Sequence, residues 1–240
     1  MTRSIFGRAT SKLLLVGVAF AAIAGCESST SSDSGTMASN SGTVVDGRDG
    51  QSYPWVKIGS QTWMARNLDY IGSATTLGQC YLNSPDSCHK YGRLYYWAEA
   101  MGASLTNDSS VLGASLPVRG ICPVGWHLPS MPEWKKLSDT ILDPRRAGVV
   151  LKSTSWTGSD STGFHGLPVG DCYLLNTGVE CSTGGQQTAF WSSTEYNANS
   201  AWNAVLVDST LYPAGADSLG EYTYPYIYKR YAYSVRCLKD

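Results

Sequence analysis

The pattern of apolar and polar positions marks one stretch more sharply than any other: Cys122–Leu142, CPVGWHLPSMPEWKKLSDTIL. Trp134, Leu137 and Ile141 recur at i, i+3 and i+7 and share one helical face, with Lys135, Lys136 and Asp139 on the other. Ser130 followed by Glu133 is a capping-box pattern. The serine hydroxyl accepts from the Glu133 N–H while the carboxylate reaches back to the Ser130 N–H. Pro132 sits in the first turn, where a missing donor costs little. Asp143-Pro144 stops the helix, because a residue before proline is pushed out of the α region. Elsewhere period-two patterning predicts strands. Tyr53–Ile58 and Gln61–Met64, split by Gly59-Ser60, read as a hairpin with Trp55 and Trp63 packed near its turn. Ala189–Thr194, Ala201–Val207 and Tyr233–Leu238 read as further strands, and Val149-Val150-Leu151 as a short one. Leu94, Trp97, Ala98 and Met101 have helical spacing.

Between these elements the chain is rich in turns. Leu105–Gly120 and Ser153–Gly166 read as surface loops, the second carrying Trp156. Asn176-Thr177-Gly178 reads as a hairpin turn. Tyr222, Tyr224, Tyr226 and Tyr228 alternate with Thr223, Pro225 and Ile227, which places four tyrosines on one face of an extended segment. Pro225 restricts that segment to a sheet edge or a loop. No internal repeat is visible.

The N-terminus has a different pattern. Arg3, Arg8 and Lys12 precede Leu13–Ala24, an apolar run too short to span a bilayer and suited to an export signal over residues 1–25. It ends in Ile23-Ala24-Gly25-Cys26, which resembles a bacterial lipobox. The resemblance implies a diacylated Cys26 as the mature N-terminus, and two or three acyl chains anchor stably where one binds marginally. In Gram-negative sorting an Asp after the cysteine favours the inner membrane. Here Glu27 follows, so the expected location is the outer membrane, lipid-anchored. Residues 26–43 are rich in Ser, Thr, Gly and Asn and read as a flexible tether, which leaves 44–240 as the folded domain.

Seven cysteines are present. With Cys26 acylated, Cys80, Cys88, Cys122, Cys172, Cys181 and Cys237 form an even set, which in an exported chain argues for disulfides. Many connectivities are open to six cysteines. The pairing chosen is Cys80–Cys88, Cys172–Cys181 and Cys122–Cys237: two short local loops, and one long loop tying the central helix to the last strand. Zinc is the competing use, but there is no CxxC pair and His is scarce. Loss of residues 1–25 removes three basic residues and takes the net charge from −1 to −4, with no basic run to meet nucleic acid. Tyr (15) and Trp (8) outnumber Phe (4), and rings with a polar handle suit a partly wet surface.

The assembled signatures resemble a bacterial family, the Fibrobacter succinogenes major paralogous domain of surface lipoproteins. They are DGRDGQSYPWVKIGSQTWMARNLDY, CHKYGRLYYWAEAM, CPVGWHLPSMPEWKKL, FWSSTE and YSVRCLKD, and they cover nearly all of Asp46–Asp240 in order. One departure is Arg66, where the family's Ala-x-Asn-Leu motif leads one to expect an acid. HLPSMPEW, FWSSTE and SVRC also resemble the C-type lectin-like superfamily. That resemblance implies an α+β fold of two helices with small antiparallel sheets and long loops, its termini tied by a bridge such as Cys122–Cys237.

Chemistry is sparse. The lectins' calcium site resembles Glu-Pro-Asn or Gln-Pro-Asp with Trp-Asn-Asp. Neither Pro tripeptide occurs here, and Trp202-Asn203-Ala204 lacks the final acid, so no metal or other cofactor is expected. The formylglycine-generating oxidases resemble this chain at the helix start but need reactive cysteines, and all six here are assigned to bridges. His89, His127 and His165 are the only histidines, and no Ser or Cys has a recognisable base partner. The expectation is therefore a non-catalytic surface lipoprotein. Its domain binds a polysaccharide on an aromatic platform drawn from Trp156, Trp202, Tyr222, Tyr224, Tyr226 and Tyr228. The alternative is a structural or protein-interaction envelope lipoprotein without glycan affinity.

Overall fold

The computed structural model describes residues 40–72, 77–104, 113, 117–141, 143, 146–207, 210–213 and 226–240. The signal stretch, Cys26, the tether up to residue 39, Tyr222, Tyr224 and most of Leu105–Gly120 lie outside the described residues. Residues Ala38–Asp240 form one compact unit. Its first part holds β1 (Ser41–Val45), β2 (Ser52–Ile58), β3 (Gln61–Met64), α1 (Pro85–Tyr91), β4 (Leu94–Tyr96) and α2 (Trp97–Ala100). The middle holds β5 (Trp126–His127), α3 (Met131–Thr140) and α4 (Ala147–Leu151). The last part is all strand: β6 (Asp171–Leu175), β7 (Gly178–Ser182), β8 (Gln187–Asn197), β9 (Ser200–Val207), β10 (Thr210–Pro213), β11 (Tyr226–Tyr228), β12 (Tyr231–Ser234) and β13 (Leu238–Lys239).

Two sheets carry the unit. The first has five strands in the order β1-β2-β3-β13-β5, so the last strand of the chain lies between β3 and β5. The second has eight, with β10-β9-β8-β12-β6-β7 as its path, β11 added to β9 and β4 to β12. The two-helix, small-sheet arrangement expected from the lectin-like resemblance is thus overturned. The described residues are mostly β, and the four α-helices run only four to ten residues. A strong helix-start signal at Ser130 is local and says nothing about how much sheet surrounds it. The structured part also begins earlier than expected, since Ser41–Val45 pairs with Ser52–Val56 along β2.

Helix α3 forms as the pattern requires. The Ser130 N–H and hydroxyl both donate to Glu133 Oε2, each at 2.7 Å. The hydroxyl thus donates to the carboxylate as well as standing at the cap. Trp134 and Leu137 are fully buried, and the helix yields to extended backbone at Ile141. Trp134 packs against Trp63 at 4.6 Å and Phe190 at 5.3 Å between ring centroids, so one side chain joins the helix to both sheets. Val149-Val150-Leu151 is helical in α4, not a strand. Ala147, Gly148 and Leu151 are buried together, and packing on a helical face overrides the β preference of the two valines.

The disulfides are Cys80–Cys88, Cys122–Cys237 and Cys172–Cys181. Cys122–Cys237 lies inside the larger apolar core with Trp97, Trp126 and Trp191, while a second core gathers Trp63, Trp134, Phe164 and Phe190. Cys172 and Cys181 face each other across the β6–β7 hairpin, whose two-residue turn is Asn176-Thr177.

Candidate functional site

The outward-facing aromatic residues collect where β8, β9 and β11 meet. The β8–β9 hairpin closes with an Asx turn, Asn197 Oδ1 accepting the Asn199 N–H at 2.9 Å. Pairing is regular up to Trp191↔Asn203, then shifts twice before Asn197↔Ser200. Such irregularities re-aim side chains near a strand end. Strand β11 adds to the outer edge with Tyr226 opposite Trp202, Ile227 opposite Ala201 and Tyr228 opposite Ser200. Period-two alternation then divides the faces. Ala201 and Ile227 join the larger core, while Trp202, Tyr226 and Tyr228 share the opposite face.

Tyr196 completes the group. Its ring stacks on Tyr226 at 3.7 Å between centroids and an interplanar angle of 7°, and meets Trp202 edge-on at 5.6 Å and 83°. Tyr196 is 45% exposed and Tyr228 60%, while Trp202 and Tyr226 are half-buried. A stacked pair with a perpendicular indole is a firm ledge, because each ring fixes the tilt of its neighbour. The Tyr226 hydroxyl is pushed above the ordinary phenol range by its hydrogen bond with Tyr196 and by that neighbour's charge on ionising. The two phenol tips therefore form one linked polar edge beside the flat ring faces.

The support beneath the ledge is a buried ion pair. Lys229, the residue after β11, donates from Nζ to Glu195 Oε1 at 2.5 Å and to the Ala198 carbonyl at 2.8 Å. The same ammonium lies 4.5 Å from the Trp97 ring centroid, and the Lys229 backbone N–H donates to the Asn199 carbonyl. Glu195 is thus a structural anchor. It pins β11 to the hairpin and holds Tyr226 against Tyr196.

Of the other expected platform residues, Tyr222 and Tyr224 lie outside the described residues, and Trp156 falls elsewhere. Trp156 is only 8% exposed and packs in the second core, with Lys152 Nζ 4.3 Å from its ring centroid, so it is removed from the ledge. The reason is the short helical turn Thr154–Trp156, which folds the ring inward from a segment that reads as a surface excursion. Tyr196 was missed. Its only signal in the sequence is its place at the end of a long strand, and the register shifts that aim it outward cannot be read from residue types.

His127, in β5, stands at the entry to helix α3. Its Nδ1 lies 2.7 Å from Asp240 Oδ1 and its Nε2 3.0 Å from Glu133 Oε1. Burial pulls the ring's pKa down, but the hydrogen bonds to the two carboxylates outweigh it and hold the value above the ordinary one. Burial opposes ionisation of Glu133 too. The bonds from His127 and Ser130 prevail and hold it down at about 2. This cluster ties Asp240 to the start of α3. Among the described residues no group of three or more His, Cys, Asp or Glu side chains could hold a metal ion.

Fold and site together define a mostly β, disulfide-stapled domain with an aromatic ledge at one sheet edge. The chain belongs to the Fibrobacter succinogenes major domain family, whose model matches residues 56–239. No curated protein and no solved structure matches it significantly.

Proposed function

We propose that this protein is an envelope lipoprotein, anchored in the outer membrane through acylated Cys26, whose domain binds a polysaccharide on the ledge of Tyr196, Trp202, Tyr226 and Tyr228. The observation that carries the reading is the stacked Tyr196–Tyr226 pair with Trp202 set against it, partly open to solvent. Pyranose rings present flat C–H faces with polar edges, and an aromatic face flanked by hydroxyl groups matches both. No residue of the ledge is a carboxylate, so the binding is calcium-independent. The lipobox-like end and the Ser/Thr-rich segment after it support the anchored, tethered placement.

The test is a pull-down of the full-length, oxidised protein in detergent against insoluble cellulose, xylan and cell-wall fractions, with calcium and with chelator. Retention on at least one glycan, unchanged by chelator, is expected. Retention lost in chelator would contradict the metal-free mode. No retention on any of them would move the protein to the structural or protein-interaction reading.

A further inference from the structure

A second feature lies away from the ledge residues and does not depend on the glycan reading. A cleft of about 200 Å³ is lined by Pro54 of β2, Ala65, Arg66 and Asn67 after β3, Lys90 and Tyr91 of α1, His165, Leu167 and Arg236. Gly92 permits this assembly. Its φ is +78°, and a Cβ there would lie 2.8 Å from both Asn67 Cβ and the Leu68 carbonyl oxygen, so only glycine lets the end of α1 close on this segment.

The floor of the cleft is unusual in its charge. Arg236 is 1% exposed, yet its hydrogen bonds go to neutral oxygens alone. Nε lies 2.9 Å from Asn67 Oδ1 and Nη1 3.1 Å from the Met64 carbonyl. Nη1 also donates to the Phe164 carbonyl and Nη2 to Asn67 Oδ1. Phe164 and Phe190 lie against the guanidinium at 4.4 and 5.5 Å. Asn67 is locked in turn by donating to the Tyr91 carbonyl at 2.8 Å and Ser234 Oγ at 3.1 Å. A buried charge is costly unless an opposite charge compensates it. Burial accordingly pushes Arg236 down to about 9, with the Asp160 carboxylate opposing that shift.

The carboxylates nearby are already engaged. Asp160 binds the exposed His165 ring at 2.8 Å. Asp69 is shared between Arg93 at 3.2 Å and Arg66 at 3.8 Å. Two backbone carbonyls that would add negative potential at the end of α1 are taken as well, His89 by Arg66 and Tyr91 by Asn67. Lys90 reaches over the Tyr91 ring, 4.7 Å from its centroid, on the rim. The cleft therefore has a rigid cationic floor, two long basic side chains at its rim and apolar walls of Pro54 and Leu167.

We infer that this cleft binds a small oxyanion, a carboxylate or phosphate group at the end of a ligand, between Arg66 and Lys90 and over Arg236. Its volume admits one such group rather than a whole drug-sized molecule. Arginine and lysine together supply the fork and the point charge that oxyanions take.

The test is two-dimensional NMR of the full chain, ¹⁵N-labelled and oxidised, titrated at low ionic strength with inorganic phosphate, glucuronate and, as a neutral control, glucose. Saturable shifts at Arg66, Lys90 and His165 are expected with at least one anion, with a Kd of roughly 10 mM or tighter, and none with glucose. Response to phosphate alone or to glucuronate alone identifies which oxyanion the site takes. R66A/K90A alters only side chains on the rim, and its melting temperature shows whether it remains folded. It should weaken binding about tenfold or more. Absence of saturable shifts with both anions, or shifts that persist unchanged in the folded R66A/K90A protein, would overturn the proposal and leave Arg236 a structural staple.

Discussion

Tryptophan shows how one residue type serves two ends in this molecule. Six of the eight tryptophans are buried: Trp63, Trp97, Trp126, Trp134, Trp156 and Trp191. Several of their polar handles are satisfied inside. Trp97 donates to the Ser192 carbonyl at 2.9 Å, Trp191 to the Tyr95 carbonyl at 2.7 Å and Trp134 to the Trp191 carbonyl at 3.3 Å. The excess of Trp and Tyr over Phe thus reflects a core that hydrogen-bonds to irregular strand carbonyls, and only its remainder forms the ledge. Trp134→Ala and Trp156→Ala should each cost about 3–5 kcal/mol of unfolding free energy in a denaturant titration, because each leaves a cavity in the second core. Trp202→Ala should cost less than about 1.5 kcal/mol in the same titration, since its ring is half open to water and leaves no sealed void.

His127 adds a pH signature at the same scale. Its raised pKa contributes stability in full below the ordinary value of 6.5, and the contribution is lost as pH rises through the higher folded-state value. Glu133, held at about 2, contributes above its ordinary 4.5 and loses the contribution as pH falls through about 2. The two overlap between roughly pH 4.5 and 6.5, where the clamp on Asp240 is strongest. The unfolding midpoint should therefore fall between pH 6 and 8, and His127→Gln should flatten that slope. An unaltered slope in the variant would show that other groups govern it.

Elements were legible where their signals are local. The Ser130–Glu133 cap, the Gly59-Ser60 turn and the Asn176-Thr177 turn each announce a start or a reversal, and the structure uses all three. Short loops between cysteines made Cys80–Cys88 and Cys172–Cys181 the economical local pairs, and Cys122–Cys237 followed as the remaining one. Helix α4 shows the limit. Two valines look like strand until one knows that Ala147 and Leu151 share a buried face. The segment between Cys80 and Cys88 shows another, since its Pro85 begins α1 although no apolar periodicity marks a helix there. Removing the Cys122–Cys237 bridge by double substitution to Ala should cost about 2–5 kcal/mol, the most of the three, because it closes the longest loop. Chemical denaturation of the three double variants would rank them, and a larger loss at either local bridge would contradict the loop-length argument.

For the whole molecule, the decisive pairings join distant parts of the chain. Strand β13 beside β3 and β12 beside β4 pair residues more than a hundred positions apart, and β12 also lies between β8 and β6, which are 44 to 60 positions away along the chain. No periodicity records them, and the lectin-like resemblance of a few short motifs carried the expectation toward two helices with small sheets while the strands assembled into a five-stranded and an eight-stranded sheet. The ledge is a product of the same long-range order. Tyr226 meets Tyr196 only because β11 docks on β9 beside the hairpin, held by the buried Lys229–Glu195 pair. The proposed anchor is independent of this order: Cys26→Ser should shift the protein from the membrane fraction to the soluble fraction on sedimentation, with no change in the folded domain. Persistence in the membrane fraction would contradict acylation at that position.

The most direct test of the account is the binding isotherm on the glycan that retains the wild-type protein, repeated with Tyr196→Ala and Trp202→Ala and accompanied by each variant's melting temperature. The account predicts affinity reduced about tenfold or more in each variant while melting temperatures stay within a few degrees of wild type. Undiminished affinity in both folded variants would contradict it, because the ledge would then be an aromatic edge without a part in binding.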